Sequence, residues 1–304
     1  MTLTIATRRS PLALWQSEHC ASLLAQITEQ PVQLLELSTR GDELLDRSLA
    51  AIGGKGLFLK ELEHALLDGR ADLAVHSMKD VPAEMHPELC LAANLPRATP
   101  WDAFVSNAYA DLDSLPEAAI VGTSSPRRQI QVMHRRPDLQ CLPVRGNVQT
   151  RLQRLDDGDC HALLLACAGL ERLGLDERIT GVLRTPDWIP AAAQGVVTVQ
   201  CRRDDQRMRD LLAQLHDAAS ADLISAERLV IERLQGDCHT PLGVYAEALP
   251  ESNDVILHGV LGSDPEQGQP GIARAQVNGA RADISALADR LAQQLSSQLE
   301  SSQR

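Results

Sequence analysis

Short apolar runs of strand length alternate with stretches of helical period along most of this chain, and that alternation restricts the fold more than any other feature. Strand-like runs stand at 3–7, 33–38, 71–77 and 89–95 in a first stretch, and at 119–124, 139–144, 162–169 and 196–201 in a second. The spacing of apolar residues predicts helices over 11–27, 57–68, 126–135, 147–156 and 206–216. Such alternation builds α/β layers, because parallel neighbours need a long crossover and a helix is the usual one. Largely parallel sheets are therefore expected. After about residue 218 the texture changes. Residues 220–235 read as one helix, 242–249 and 255–263 as strands around a turn, and Ile284, Leu287, Ala288, Leu291 and Leu295 recur at helical spacing. That is the pattern of a small α+β unit, with the last residues, 296–304, expected to fray.

One internal repeat bears on the layout. IATRRSPLALWQ (5–16) and IVGTSSPRRQIQ (120–131) share a plan: a strand, a Thr, then Ser-Pro opening a helix. Ser10 and Ser125 suit the helix cap, and Pro11 and Pro126 suit the first helical position. Helix starts present free backbone N–H groups and the positive end of the dipole. Two such starts in similar halves predict two α/β lobes facing a shared cleft that favours anions.

Composition excludes several function classes. The chain of 304 residues carries 41 Asp+Glu against 29 Lys+Arg, a formal net charge of −12. That balance suits a phosphate backbone poorly. Aromatic residues are 2% of the chain, too few for the stacking platforms of single-stranded nucleic-acid binders. No stretch reaches the roughly 18 apolar residues of a membrane span, and the N-terminal residues lack a long apolar run with a small-residue cleavage site. A cytoplasmic protein with neither nucleic-acid nor membrane partner is expected. The seven cysteines are scattered without a CxxC pair, so no disulfide framework and no structural metal site is expected.

Against the acidic background, residues 120–136 hold four arginines, one histidine and no acid. Arg8 and Arg9 flank one helix start, and Arg127 and Arg128 lie inside the other. Arg145 follows a strand, Arg151 lies in the next helix, and Arg172 sits in LERLG. Several fall at strand C-terminal ends, where open α/β sheets bind ligands. The planar guanidinium fork suits a carboxylate. Scattered solvated arginines are the plainer alternative, and the grouping argues against it. GGKGLF (53–58) makes a Gly-rich loop around Lys55, read either as a lid or as a plain helix-entry turn; its spacing is not that of a P-loop. In ADLAVHSMKDVP (71–82) a strand ends in Ser77, Lys79 and Asp80, where a carboxylate beside an amine can stabilise a developing cation or move protons. In LQGDCHTPLG (234–243), Cys238 sits in a loop, the setting of an attachment thiol or of an unreactive loop cysteine.

Taken together, these stretches resemble the hydroxymethylbilane synthase, or porphobilinogen deaminase, family nearly end to end. The matching segments are IATRRSPLALWQ, STRGD, GGKGLF, AVHSMKDVP, GTSSPRRQ, RGNVQTRL, LACAGLERLG and GDCHTP, in that order. The resemblance implies two periplasmic-binding-protein-like α/β lobes plus a small α+β C-terminal domain. It divides the chain into 1–96 with 196–216, 97–195, and 217–304; the alternation of elements along the chain, rather than the resemblance, suggests hinges near 96–101 and 190–196. The resemblance implies a monomer that condenses four porphobilinogen molecules into a linear tetrapyrrole, on a dipyrromethane cofactor in thioether linkage to Cys238. By the same resemblance Asp80 is catalytic. Ser77, Lys79, Thr123, Ser125, Arg127, Arg128 and Arg151 hold the cofactor. Arg8, Ser10, Arg145, Arg151 and Arg172 line the substrate route, and Lys55 and Phe58 belong to a lid loop. No metal is implied. The arginine grouping then has a reason: each pyrrole carries an acetate and a propionate, so each added ring brings two carboxylates. The chain departs from the family pattern at Asp237 and His239 beside the cysteine, at Ala193, and at Gln200 where a Glu is common. An acid next to the thiol is expected to raise its pKa. A non-catalytic anion-binding module on the same two lobes explains the arginines too, but neither the loop cysteine nor Asp80.

Overall fold

The computed structural model describes residues 2–38, 59–237, 239–250, 252–264 and 271–302. The chain divides into two compact units. The first comprises Met1–Ala98 with Gly195–Ser220, and the second Thr99–Gln194 with Ala221–Arg304.

The first unit opens with β1 (Leu3–Arg8), α1 (Pro11–Ile27) and β2 (Val32–Leu37). Ser10 caps α1, its hydroxyl accepting from the Ala13 N–H at 3.4 Å, and Pro11 takes the first helical position. Next come α2 (Lys60–Leu67), β3 (Leu73–Ser77), a single 3₁₀ turn over Met78–Asp80, and β4 (Leu89–Asn94).

The second unit begins with β5 (Asp102–Val105), β6 (Ile120–Gly122), α3 (Pro126–Arg135) and β7 (Gln140–Leu142). It continues through α4 (Val148–Asp156), β8 (Ala162–Ala166), α5 (Cys167–Arg172) and β9 (Gly181–Leu183). The chain then returns to the first unit as β10 (Val197–Arg202) and α6 (Gln206–Ala213). The remainder is α7 (Ala218–Arg233), β11 (Leu242–Ala248), β12 (Asp254–Gly262), β13 (Ile272–Ala280) and α8 (Ile284–Ser302).

Both five-stranded sheets follow one plan. The first has the order β2-β1-β3-β10-β4 and the second β7-β6-β8-β5-β9. In each, the three strands on one side are parallel and the fourth runs antiparallel to both its neighbours. The fourth strand is the one delivered by the chain's crossing between units, so each sheet is closed by an incoming segment. The repeat seen around the two Ser-Pro helix starts is thus a duplicated topology, with β1 and α1 matching β6 and α3. The sheets are mixed rather than largely parallel, because that incoming strand runs the other way. Separate apolar cores fill each unit, Leu3, Ile5, Leu24, Leu73 and Val199 in one, Phe104, Val121, Leu164 and Trp188 in the other. Full burial of such side chains contributes about 1.5–3 kcal/mol each.

The α+β module in the second unit is a three-stranded antiparallel meander, β11-β12-β13, backed by α7 and α8. It packs on α3 through Ile130, Ile189 and Val260, and Val244 N–H donates to Pro190 O at 3.1 Å. Gly243 is required there, since a Cβ would stand 2.9 Å from the carbonyl oxygens of both Ile189 and Pro190. Helix α8 runs through Ser302, so the expected fraying from 296 is not seen; Leu295 and its neighbours on the same face anchor it. The run 162–169 is a strand only to Ala166 and then turns into α5. A continuous apolar run suits a buried helix as well as a buried strand, and period cannot separate them.

Candidate functional site

Strand order places most of the expected site residues at one edge of each sheet. In the first unit Arg8 ends β1, Ser10 caps the helix after it, Ser77 ends β3, and Lys79 and Asp80 occupy the turn that follows. These are the carboxyl ends of adjacent parallel strands, the edge at which open α/β sheets bind ligands. Ser77 Oγ accepts from Gln16 Nε2 at 2.9 Å, which ties the end of β3 to α1. Lys79 is half-buried and Asp80 is exposed, so the carboxylate is open to a ligand.

Behind this edge lies a buried polar chain that the sequence did not announce. His76 Nε2 donates to Gln200 Oε1 at 3.0 Å, and Gln200 Nε2 donates to Glu63 Oε1 at 2.9 Å. Burial lowers the His76 pKa to about 4, the Gln200 hydrogen bond opposes that, and the positive charge of Arg8 lowers it further. His76 is therefore neutral at pH 7. Gln200, the position where the family commonly has Glu, is wholly buried and serves as the middle link of this chain.

In the second unit the same edge carries Thr123 after β6, Ser125 before α3 and Arg145 after β7. Thr123 is buried and its Oγ1 accepts from Ser125 N–H at 3.2 Å. Ser125 takes the cap position of α3 as expected, its carbonyl accepting from Gln129 N–H at 3.0 Å, but unlike Ser10 it makes no side-chain capping bond among the described residues. Arg145 is half-buried. Gly146 takes φ +104°, a region that favours glycine, and its carbonyl accepts from Arg151 Nε at 2.8 Å. Asn147 caps α4 through Thr150 N–H at 2.8 Å. Arg172 ends α5, half-buried, with a pKa lowered by burial and raised in part by Glu171.

Arg127 and Arg128 are only 4% and 6% exposed. Both guanidiniums converge on Asp102 at the start of β5: Arg127 Nη1 donates to Oδ2 at 2.7 Å and Arg128 Nη2 to Oδ1 at 2.6 Å. Trp188 Nε1 adds a bond to Oδ2 at 2.7 Å and Gln194 Nε2 one to Oδ1 at 2.9 Å. Arg127 Nη2 adds a longer bond to Oδ1 at 3.3 Å, and the two guanidiniums also donate to Ile189 O and Leu164 O, each at 2.8 Å. Burial pushes the Asp102 carboxyl up, but the two guanidiniums outweigh it and hold it well below the usual carboxylate range. Two buried cations thus share one anion, and among the described residues the buried Arg128 Nε has no hydrogen-bond partner. The excess positive charge, beside a helix start, suits a carboxylate-bearing ligand. Asp102, Trp188 and Gln194 carried no sequence signal beyond an acid opening an apolar strand.

Lys55, Phe58 and Cys238 lie outside the described residues. On either side of Cys238, however, the loop is described. Burial pushes the Asp237 carboxyl up, but bonds from His239 N–H and from Thr240 outweigh it and hold the carboxyl below its usual range. Asp237 Oδ1 accepts from His239 N–H at 2.9 Å, Thr240 N–H at 3.1 Å and the Thr240 hydroxyl at 3.1 Å. Its role there is to close the turn around the cysteine position. Ala193 takes φ +57° and its N–H donates at 2.5 Å to Oε2 of the buried Glu227 on α7, whose Oε1 accepts from Ala246 N–H at 2.9 Å. Among the described residues no group of three or more His, Cys, Asp or Glu side chains is placed to hold a metal, and no helix is long and apolar enough to cross a membrane.

Residues 3–210 match the family model described as porphobilinogen deaminase, dipyromethane cofactor binding domain, and residues 221–297 match the porphobilinogen deaminase C-terminal domain. The chain belongs to the porphobilinogen deaminase family. Among the relatives, a porphobilinogen deaminase of Xanthomonas campestris pv. campestris (strain B100) is 56% identical over 265 residues, 86% of each chain. That of Xanthomonas axonopodis pv. citri (strain 306) is 53% identical over 297 residues, 97% of this chain and 95% of the relative. A solved structure of a putative methionine-binding lipoprotein from Bacillus subtilis covers 73% of this chain and 92% of its own at 14% identity, with a TM-score of 0.47. That likeness is too loose to carry an argument. The first porphobilinogen deaminase model spans both α/β lobes, and the second begins within α7, at the α+β module.

Proposed function

We propose that Asp80 is the catalytic carboxylate of a hydroxymethylbilane synthase. The enzyme is a transferase of tetrapyrrole and haem biosynthesis that joins four porphobilinogen molecules head to tail, with loss of ammonia at each step. Its cofactor is a dipyrromethane. The observation that carries the residue-level reading is the Arg127–Arg128–Asp102 cluster, whose excess positive charge suits a ligand bearing acetate and propionate groups. Bound through a thioether to Cys238, the dipyrromethane supplies the fixed pyrrole end to which substrate is joined. Arg127, Arg128 and Arg151, with Thr123 and Ser125, are the proposed holders in the second unit, and Ser77 and Lys79 in the first. Arg8, Ser10, Arg145 and Arg172 bind the carboxylates of incoming substrate, and Lys55 and Phe58 cover it.

Asp80 acts at the reacting centre. As the amine of porphobilinogen leaves, positive charge spreads onto the pyrrole nitrogen. A carboxylate oxygen of Asp80 accepts the pyrrole N–H and stabilises that charge. The same carboxylate then takes up the proton that must leave the ring carbon once the new bond has formed. The arginines neutralise two further carboxylates with every ring added.

The proposed partition is 1–96 with 196–216, 97–195, and 217–304; the separate core around Val244, Leu257 and Leu291 supports the third. We further take the enzyme to be a cytoplasmic monomer acting on a small molecule, a reading that the net charge of −12 supports against nucleic acid. The decisive experiment is Asp80→Asn measured by turnover and by intact mass. Turnover is expected to drop by about 10²–10⁴-fold, while an adduct of dipyrromethane mass persists and disappears only in Cys238→Ser. Wild-type turnover in Asp80→Asn, or an active native chain of unmodified mass, sinks the reading.

A further inference from the structure

Cys90 on β4 and Cys201 on β10 are direct partners in the antiparallel register. They lie on one face of the sheet, where Cys201 belongs to the core and Cys90 packs against it. Cys201 is wholly buried and Cys90 is half-buried. Directly opposed residues of an antiparallel pair hold their Cβ atoms about 4.5–5.5 Å apart, and a disulfide needs about 3.5–4.5 Å. A small closing movement joins the two. The register shifts beside them, between Val199 and Gln200, and such an irregularity loosens the ladder locally.

We propose that Cys90 and Cys201 form a dithiol–disulfide couple, oxidised by exchange with a small-molecule disulfide. Cys90 is the sulfur a reagent reaches first. Its thiolate attacks one sulfur of the reagent, the reagent's S–S bond breaks, and one reagent thiolate leaves to take a proton from water. Cys201 then attacks the Cys90 sulfur, its proton passing to the departing second reagent half, which leaves as a thiol. Two protein thiols and one disulfide become one protein disulfide and two small thiols, so electrons and protons balance. Burial, first, and the neighbouring Cys90 push the Cys201 thiol up to about 12, which keeps it protonated and makes it the second sulfur to act.

Position gives the link its consequence. Among the described residues β4 is the edge strand of its sheet, paired with β10. The chain leaves the first unit a few residues after β4, at Ala98, and returns just before β10, at Gly195, where Ala98 N–H donates to Gly195 O at 3.1 Å. Oxidation therefore fastens the departing strand to the returning one.

The test uses the purified holoenzyme and glutathione disulfide. Trypsin releases Cys90 in segment 80–97 and Cys201 in segment 185–202. Expected are loss of two titratable thiols, a linked pair of these segments two hydrogens lighter than their sum, slower hydrogen exchange across Leu89–Asn94, and full reversal by dithiothreitol. Cys90→Ser keeps wild-type activity and forms no link. Cys201→Ala stops at glutathione retained on Cys90. A wild-type chain that stays unmodified, that stably retains glutathione on Cys90, or that links Cys90 to any other cysteine overturns the proposal.

Discussion

Removing the Asp102 carboxylate is expected to destabilise the second unit's α/β lobe more than any surface change. Asp102 is fully buried and accepts from Arg127, Arg128, Trp188 and Gln194. Among the described residues the salt bridges of Arg127 and Arg128 both run to it. In Asp102→Ala the guanidiniums keep their bonds to Ile189 O and Leu164 O, so the loss is mainly of counter-charge. Breaking a buried pair from one side costs about 3–5 kcal/mol, against a total of roughly 5–15 kcal/mol for a native protein. Asp102→Asn keeps the volume but turns one acceptor oxygen into an NH₂ that faces donors, so it is expected to fall within about 1 kcal/mol of Ala. Adding Arg128→Leu to Asp102→Asn removes one uncompensated cation and is expected to recover part of the loss. Because the folded carboxyl lies below its ordinary range, its contribution is complete above about pH 4 and disappears only as pH falls through the folded value. Urea unfolding at pH 7 followed by tryptophan fluorescence, with hydrogen exchange across β5 as the local readout, measures the effect. Wild-type midpoints and unchanged β5 exchange in both single variants would refute the reasoning.

Two further outcomes follow from packing and charge. His76 binds a proton near pH 4 when folded and near 6.5 when unfolded, so the unfolded state holds more protons between those values and stability rises with pH across that window. About 3 kcal/mol is at stake by linkage; a His76→Gln variant whose stability falls as steeply as wild type from pH 6.5 to 4 would count against it. Gly243→Ala puts a Cβ 2.9 Å from two backbone carbonyls; overpacking of this kind costs about 1–3 kcal/mol, and exchange at the Val244 amide, bonded to Pro190 O, should accelerate.

The long periodic elements were legible because their pattern is local. α1 and α3 carry Ser-Pro starts and amphipathic faces, and β1 and β3 are apolar runs that a sheet buries on both sides. β5 and β9 were not read. They hold four and three residues, too few for a period, and are strands only because β8 and each other supply partners. β13 escaped because its partly exposed sequence, IARAQVNGA, gains its strand character by pairing with β12 along nine residues. At the site, the charge of Arg127 and Arg128 was plain, but its destination was not. Asp102 is 25 residues before Arg127, and Gln194 is 92 residues beyond Asp102, so only the folded chain brings them together.

The duplicated plan also marks where sequence similarity stops carrying function. β3 and β8 occupy equivalent places in the two sheets. After β3 the chain continues Met78–Lys79–Asp80, an exposed carboxylate beside an amine. After β8 it continues Cys167–Ala168–Gly169, all buried. The equivalent helix starts diverge too: Ser10 caps α1, whereas α3 has no side-chain cap and instead turns two arginines inward onto Asp102. One topology thus carries an exposed carboxylate beside an amine at the edge of the first unit and a buried pair of arginines on one aspartate at the edge of the second. The Ser-Pro repeat predicts the shared scaffold because helix starts and strand ends are backbone matters. It cannot predict the division of labour, which rests on three or four side chains at each edge.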